Sequence, residues 1–255
     1  MAEFTFLGTG AADWDIKDKG GFFRRNSAAL VNKNLMLDCG RHIFDFMESS
    51  GNPHLYDDVS DIIITHNHDD HYCRESVLKL AGKNRLRVGC SKEVMRIIGA
   101  HPNIEYTFFE PFGEYMMGEY KVTALLANHH VVVNENDAAF HYIIETADGK
   151  KIFYGLDGAW FLRPSWEVMK KHKFDVMVLD CTVGDMDDWR MFEHNTIPML
   201  RMMMREIQNQ KLVSQNGVVI ASHMAKTLHS SHEETAEILK KFGMAAAFDG
   251  MSFNF

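Results

Sequence analysis

The chain has 255 residues, of which 46% are hydrophobic and 24% are charged, and its formal net charge is −8 at pH 7. This size and composition predict one soluble globular domain over residues 1–255, and the negative charge argues against a general binder of nucleic acid or anionic membranes, which needs a basic surface. The sequence has no apolar stretch of membrane-spanning length and no signal-peptide pattern, so we expect a cytoplasmic protein whose four scattered cysteines are reduced thiols.

The first part of the chain is predicted to be rich in short strands. Apolar runs bounded by turn residues mark five of them, at residues 4–7, 27–31, 35–38, 140–146 and 150–156. The second and third runs form a hairpin about Asn32-Lys33-Asn34. The last two form a hairpin about Asp148-Gly149, a dipeptide typical of a type I′ turn.

Three helices are predicted from apolar spacing and from signals at their ends. Residues 91–99 and 196–208 carry apolar side chains at helical spacing, and Pro198 suits the first turn of the second of these helices. The third helix opens with the capping-box pattern Ser230-Ser231-His232-Glu233 and ends at Gly243.

Apolar runs in this chain repeatedly lead into residues of the kind that bind metals. The four instances are residues 62–64 before His66, 122–126 before His129 and His130, 152–154 before Asp157, and 218–220 before His223. A layered α/β fold gathers strand ends along one edge, so we expect these side chains to meet there.

The densest group of such residues follows the first of these runs. His66, His68, Asp70 and His71 lie within six positions, and no folding requirement explains so many imidazoles and carboxylates together. Neutral imidazole and carboxylate are ligands for zinc and similar divalent ions. His66 and His68 stand at alternate positions, whereas Asp70 and His71 follow on a turn, which suits two adjacent metal ions better than one.

A dinuclear site needs one further histidine for each metal ion and is helped by a bridging carboxylate. His129, His223 and Asp157 supply this chemistry. With Gly8-Thr9-Gly10 and Asp38-Cys39-Gly40, these residues give the chain a resemblance to the metallo-β-lactamase superfamily.

The resemblance implies an α/β fold, a four-layer αββα sandwich, with a division of the ligands between two ions. His66, His68 and His129 would hold the first ion, Asp70, His71 and His223 the second, and Asp157 would bridge them. Asp38 would orient one ligand. By spacing alone, His130 could replace His129, and Asp69 could replace Asp70 although it breaks the pattern. The remaining histidines without a motif, His54, His101 and His172, are expected at the surface.

Within the superfamily, the chain looks most like the phosphoribosyl cyclic-phosphate phosphodiesterases of phosphonate breakdown. Residues 142–146, 175–181 and 248–251 carry this likeness. It implies that His194 is a general acid, with Asp70 counted among the catalytic residues as well as the ligands. Residues 11–25 contain none of the cysteines that hold an additional zinc in that family, so no structural metal is expected there.

Two other differences from the family pattern affect which substrate is expected. Lys226 stands where a further histidine is expected, and it would place a cation near the second metal unless it is a surface lysine. Residues 131–141 look like an insertion beside the site.

The predicted function is that of a metal-dependent hydrolase, and most readily a phosphodiesterase that acts on a small phosphate ester, cyclic esters included. The expected nucleophile is a metal-bridging hydroxide, and the expected general acid is His194. The expected cofactors are two divalent ions, zinc first, with manganese and iron as alternatives. Two other activities stay open: hydrolysis of carbon esters, lactones or thioesters on the same site, and a tRNA 3′-end-type endoribonuclease. The expected partner is the small-molecule ester; nucleic acid and membranes are disfavoured, and a dimer is compatible with the sequence.

Overall fold

A computed structural model of the protein describes residues 1–18, 22–130 and 138–255. Within these residues the chain forms two sheets of seven strands each. The first sheet contains β1 Glu3–Gly8, β2 Ala28–Val31, β3 Leu35–Leu37, β4 Asp61–Ile63, β5 Leu86–Cys90, β6 Ile104–Phe108 and the C-terminal β14 Ser252–Asn254. The second contains β7 Glu114–Met117, β8 Tyr120–Leu126, β9 Phe140–Glu145, β10 Lys151–Gly155, β11 Phe174–Asp180, β12 Val213–Ser222 and β13 Ala245–Ala246.

The order of the strands brings several strand ends to one edge. The first sheet has the order β14-β1-β2-β3-β4-β5-β6, and the second β13-β12-β11-β10-β9-β8-β7. Neighbouring strands from β3 to β6 run parallel, and so do those from β10 to β13. All other neighbouring strands in the two sheets run antiparallel. The carboxyl ends of β3 and β4 therefore lie together, as do those of β10, β11 and β12.

Helices cover the outer face of each sheet. The first sheet is covered by α1 Ile43–Ser49, α2 Arg74–Ala81 and α3 Lys92–Ile98, and the second by α4 Arg163–Met169, α5 Ile197–Asn209 and α6 His232–Lys240. Two short 3₁₀ helices, Ile16–Asp18 and Trp189–Phe192, lie in loops.

Alternation of side chains along the strands creates the layers. In β3, Leu35 and Leu37 point into the core between the sheets, whereas Met36 packs toward the helices. In β10, Ile152 faces the core between the sheets and Phe153 faces α4 and α5. The predicted four-layer αββα sandwich is confirmed.

Both predicted hairpins form, but one turn differs from its prediction. Asn32 and Lys33 have φ values of 49° and 69°, and Asn34 N donates to Val31 O, as in a type I′ turn. The type I′ prediction for Asp148-Gly149 was wrong, because only Gly149 has a positive φ there, at 80°. The Thr146 hydroxyl donates to Asp148 Oδ1 and closes a longer loop in which Gly149 N donates to Thr146 O.

The predicted helices are present with small changes at their ends. Ser91 caps α3 and Thr196 caps α5 through their side chains. The capping box of α6 lies one residue later than predicted, between Ser231 and Glu234.

The four cysteines are free, and Cys39, Cys90 and Cys181 are buried. Among the described residues, no helix is long and apolar enough to cross a membrane. Residues 131–137 of the predicted insertion lie outside the described residues, and His141 at its end is buried within β9.

Candidate metal centre

The predicted ligands meet where the strands of both sheets end. His66 to His71 form the loop that follows β4 in the first sheet. His129, Asp157 and His223 follow β8, β10 and β12 in the second sheet. The strand-end regularity of the sequence thus brings these side chains to one edge of the sandwich.

The first cluster contains His66, His68, His129 and Asp157, whose candidate ligand atoms lie within 4.8 Å of one another. His129 Nε2 is 3.1 Å from His68 Nδ1, and Asp157 Oδ2 is 3.3 Å from His66 Nε2. Asp157 Oδ2 also lies 3.5 Å from His129 Nε2. One carboxylate oxygen and three imidazole nitrogens therefore surround one point.

The second cluster contains Asp70, His71, His223 and the same Asp157. His71 Nε2 lies 3.0 Å from His223 Nε2, and His223 Nε2 lies 3.1 Å from Asp70 Oδ2. Asp157 Oδ2 is 3.3 Å from His71 Nε2, and Asp157 Oδ1 is 3.0 Å from His223 Nδ1. Asp157 is the residue that the two clusters share.

Both alternatives left open by the spacing lie outside these clusters. His130 is exposed, next to the buried imidazole of His129. The Asp69 side chain is 77% exposed and pairs with Arg41. Of the histidines without a motif, His54 is exposed, whereas His101 and His172 are half-buried.

Three residues of the site have a strained backbone. Asp38, Asp157 and His223 have φ values of 57°, 53° and 60°, which lie in the left-handed region that residues other than glycine rarely adopt. Each follows a strand end closely. Such strain is concentrated at functional sites, where the surrounding structure holds the residue in place.

Asp38 anchors the first sheet's part of the centre. Its Oδ2 lies 2.9 Å from His71 Nδ1 and accepts a hydrogen bond from the Tyr154 hydroxyl. Its Oδ1 accepts from the backbone N–H and the hydroxyl of Thr65. Asp38 therefore contacts a candidate ligand, and the hydrogen bond to His71 leaves Nε2 of that ring directed at the second cluster.

The donor set fits divalent metal ions. His66 Nε2 is buried and has no hydrogen-bond partner among the described residues, although Asp157 is close by. A buried polar atom without a partner costs free energy, and a metal ion would satisfy this one. Histidine and carboxylate ligands suit zinc, and also manganese or iron.

The pKa values of the histidines differ between the clusters. Burial, aided by the charge of His71, lowers the pKa of His66 to about 4, and burial lowers the pKa of His129 to about 3, so both rings are neutral and able to bind a metal at pH 7. Burial would also lower the pKa of His223, but Asp157 and Asp70 outweigh it and raise that pKa to about 10. A proton on His223 must therefore leave when a metal ion binds.

His194 lies beside the two clusters and has its own carboxylate partner. Its Nδ1 is 2.9 Å from Asp180 Oδ2 and 3.9 Å from Asp157 Oδ1. Burial alone would lower the pKa of His194, but Asp180 and Asp157 outweigh it and raise the pKa above its ordinary value. His194, Asp180, Asp157 and His223 also form a third group close enough to hold a metal ion, so His194 has two chemically possible roles.

Sequence reasoning did not assign a role to Asp180 or Thr182. Asp180 is fully buried and accepts hydrogen bonds from the Thr182 hydroxyl and from the Thr182 and Asn195 backbone N–H groups. The Thr182 hydroxyl is 2.7 Å from His223 Nδ1. Asp180 ends the buried strand β11, so the strand-end regularity could have identified it, whereas nothing in the sequence marks Thr182.

The clusters open into a cavity of about 200 Å³, which His68, Asp70, His129, Asp157, His194 and His223 line. Lys226 is exposed and lines a neighbouring cavity with Arg24 and His232. Among the described residues, Arg190 is the arginine or lysine that lines the metal-site cavity, and its Nε donates to Asp188 Oδ1 at 2.7 Å. Lys226 is therefore a surface lysine and does not line the metal-site cavity.

Comparisons with known proteins agree with this architecture. The profile of the β-lactamase superfamily domain matches residues 33–248. A search of curated proteins finds no significant match. The metallo-β-lactamase fold protein YhfI from Bacillus subtilis is 14% identical, with a TM-score of 0.73 and all of both chains covered.

Two further solved structures have the same fold. A diphosphatase from the PhnP family is 16% identical, with a TM-score of 0.75 and coverage of 100% of this chain and 97% of that chain. A long form of RNase Z from yeast is 15% identical, with a TM-score of 0.63 and coverage of 99% of this chain and 42% of that chain. Because the family profile spans most of the sequence and the whole fold is shared, the chain belongs to the β-lactamase superfamily and has the metallo-β-lactamase fold.

Proposed function

We propose that this protein is a metal-dependent phosphodiesterase that hydrolyses a small phosphate ester, cyclic esters included. The observation that carries the proposal is the arrangement of two His/Asp clusters that share Asp157, with a carboxylate-bound histidine, His194, on the same cavity. The superfamily supports the broader class of metal-dependent hydrolase, and the phosphodiester specificity is our inference from the site.

The residues present would hold two divalent ions, zinc in the first place. His66, His68 and His129 would bind one, Asp70, His71 and His223 the other, and Asp157 would contact both. Such ions supply positive charge for the phosphate oxygens and lower the pKa of a water molecule to near neutrality.

The chain's own contribution to the leaving group would come from His194. Asp180 accepts a hydrogen bond from Nδ1, which fixes the ring and leaves Nε2 for the substrate. Asp180 and Asp157 raise the pKa of His194 and so favour the protonated ring, which can donate its proton to the departing alkoxide oxygen. Asp180 acts through His194 and is a positioning residue.

Asp70 would serve as a ligand whose carboxylate holds the second ion next to the reacting phosphate. It is buried, and its Oδ2 lies 3.1 Å from His223 Nε2 and 3.8 Å from His71 Nε2. It also lines the cavity. It thereby connects the second cluster with the space in which the ester would bind.

A substrate panel tests the proposal. Metal-loaded protein should turn over bis(p-nitrophenyl) phosphate faster than a lactone and a thioester measured under the same conditions. The metal-free protein is the control and should be inactive on all three. Hydrolysis of the lactone or thioester without phosphodiester turnover would show that the phosphodiester proposal is wrong and that the same site serves carbon esters.

A further inference from the structure

One large apolar side chain stands in the wall of the metal-site cavity. Trp189 lines this cavity together with His194, and it is 70% exposed. The other apolar residues in the wall, Ala11, Ala12 and Ala225, are small. A packed tryptophan buries about 150–250 Å², so an indole this exposed adds little to the stability of the fold.

The backbone that carries Trp189 is held in place next to His194. Asp188 caps the short 3₁₀ helix Trp189–Phe192 by accepting hydrogen bonds from Arg190 N and Nε. His194 N donates to Arg190 O at 2.8 Å. The exposed indole and the candidate proton donor therefore belong to one hydrogen-bonded segment.

The size of the cavity limits what it can enclose. At about 200 Å³, it is smaller than the roughly 300–1,000 Å³ of pockets that bury a whole drug-sized ligand. A phosphate held at the metal clusters would occupy part of this space. The remainder of an ester larger than a simple alkyl phosphate must extend along the wall, where Trp189 offers a flat apolar face.

We propose that Trp189 is a stacking surface for a planar aromatic group of the substrate, so that the protein selects aromatic phosphate esters. Aromatic side chains stack on nucleobases and on aryl rings alike, since both present a π-face. This inference rests on the proposed phosphodiesterase function and specifies its substrate class. It assigns Trp189 a role in binding, separate from the chemistry at His194.

Binding of product-like monoesters tests the role of Trp189 without requiring turnover. Dissociation constants of phenyl phosphate, adenosine 5′-monophosphate and methyl phosphate are measured by calorimetry on the metal-loaded wild type, Trp189→Ala, Trp189→Phe and Phe192→Ala. Phe192 is 75% exposed on the same 3₁₀ helix and is the matched control. Metal content and thermal unfolding of each variant show that the site is intact.

The wild type should bind at least one of the two aromatic esters more tightly than methyl phosphate, by about 5- to 100-fold. Trp189→Ala should remove this preference, whereas Trp189→Phe should retain most of it and Phe192→Ala all of it. The aromatic ester that loses more affinity in Trp189→Ala identifies the group as a base or an aryl ring. A preference that is absent in the wild type, or unchanged in Trp189→Ala, overturns the inference alone. If none of the three phosphates binds, the proposed function fails together with it.

Discussion

The role of His194 determines whether the site contains a general acid beside its candidate metal ligands. It touches neither of the two main clusters through its own hydrogen bonds, yet its Nδ1 lies 3.9 Å from the shared Asp157 and 2.9 Å from Asp180. Its side chain is 12% exposed, and it lines the cavity. A histidine placed in this way can act as an acid or bind a metal ion, and the two roles differ in what its removal changes.

Replacement of His194 by alanine should lower kcat without loss of metal. We expect a decrease of about 10²–10⁴-fold for an ester with an alkyl leaving group, the usual range for a general acid. The decrease should be smaller for p-nitrophenyl esters, because p-nitrophenolate leaves without being protonated. Rates for both leaving groups and elemental analysis check this prediction.

His54→Ala is the matched control for His194→Ala. The His54 side chain is 79% exposed, lies outside the metal clusters and forms an ion pair with Asp57. It should change neither rate nor metal content. Loss of metal in His194→Ala would make His194 a ligand in the third group, and equal losses for both leaving groups would contradict the acid role.

At the scale of secondary-structure elements, the ends of strands position the residues of the site. Residues with a strained backbone then orient their side chains toward the clusters. Asp38, Asp157 and His223 all have positive φ close after a strand. Each such residue costs about 1–3 kcal/mol, which the packed strands before it must offset. Three sites of strain at one edge indicate that the chain maintains this arrangement for a purpose other than stability.

Helix α6 provides a test of local structure outside the site. Ser231 accepts a hydrogen bond from Glu234 N in the capping box, so Ser231→Ala should lower the free energy of unfolding by about 1 kcal/mol. Ser230→Ala should leave it within about 0.5 kcal/mol, as is usual for exposed positions. Denaturant unfolding of both variants checks this, and an equal or larger loss in Ser230→Ala would show that the cap lies one residue earlier.

The elements that could be predicted were those with a local signal. Apolar runs bounded by turn residues predicted the two hairpins, whose strands are buried on both faces. Helical spacing predicted α3 and α5, because the apolar side chains of these helices face a single layer. The turn at Thr146–Lys150 was mispredicted because the Thr146 side chain closes it through Asp148, which the Asp-Gly dipeptide does not reveal.

The contacts of Asp38 with Tyr154 and of Thr182 with His223 join residues that are 116 and 41 positions apart in the sequence. Such pairs depend on the tertiary arrangement, so spacing in one sequence cannot predict them.

At the scale of the whole molecule, the candidate metal centre is built from residues of both sheets. The loop after β4 belongs to the first sheet, and His129, Asp157 and His223 come from the second. Bound ions would therefore add a link between two layers that the apolar core and hydrogen bonds such as that from Tyr154 to Asp38 already hold together.

Metal binding should accordingly raise the melting temperature. At a free metal concentration 100 times the dissociation constant, the gain is about 2.7 kcal/mol, or roughly 5–10 °C in Tm for a chain of this size. Calorimetry of chelator-treated protein before and after zinc is restored measures the shift. His66→Ala should reduce the shift and His54→Ala should not, whereas an unchanged Tm in the wild type would contradict a metal link between the sheets.

The central claim, a dinuclear phosphodiesterase, is tested most directly by titrating metal-free protein with zinc or manganese while following the hydrolysis of bis(p-nitrophenyl) phosphate. The two clusters that share Asp157 predict that turnover rises until about two ions are bound per chain and then reaches a plateau. A plateau at one ion per chain, or no phosphodiester turnover at any ratio of metal to protein, would contradict the claim.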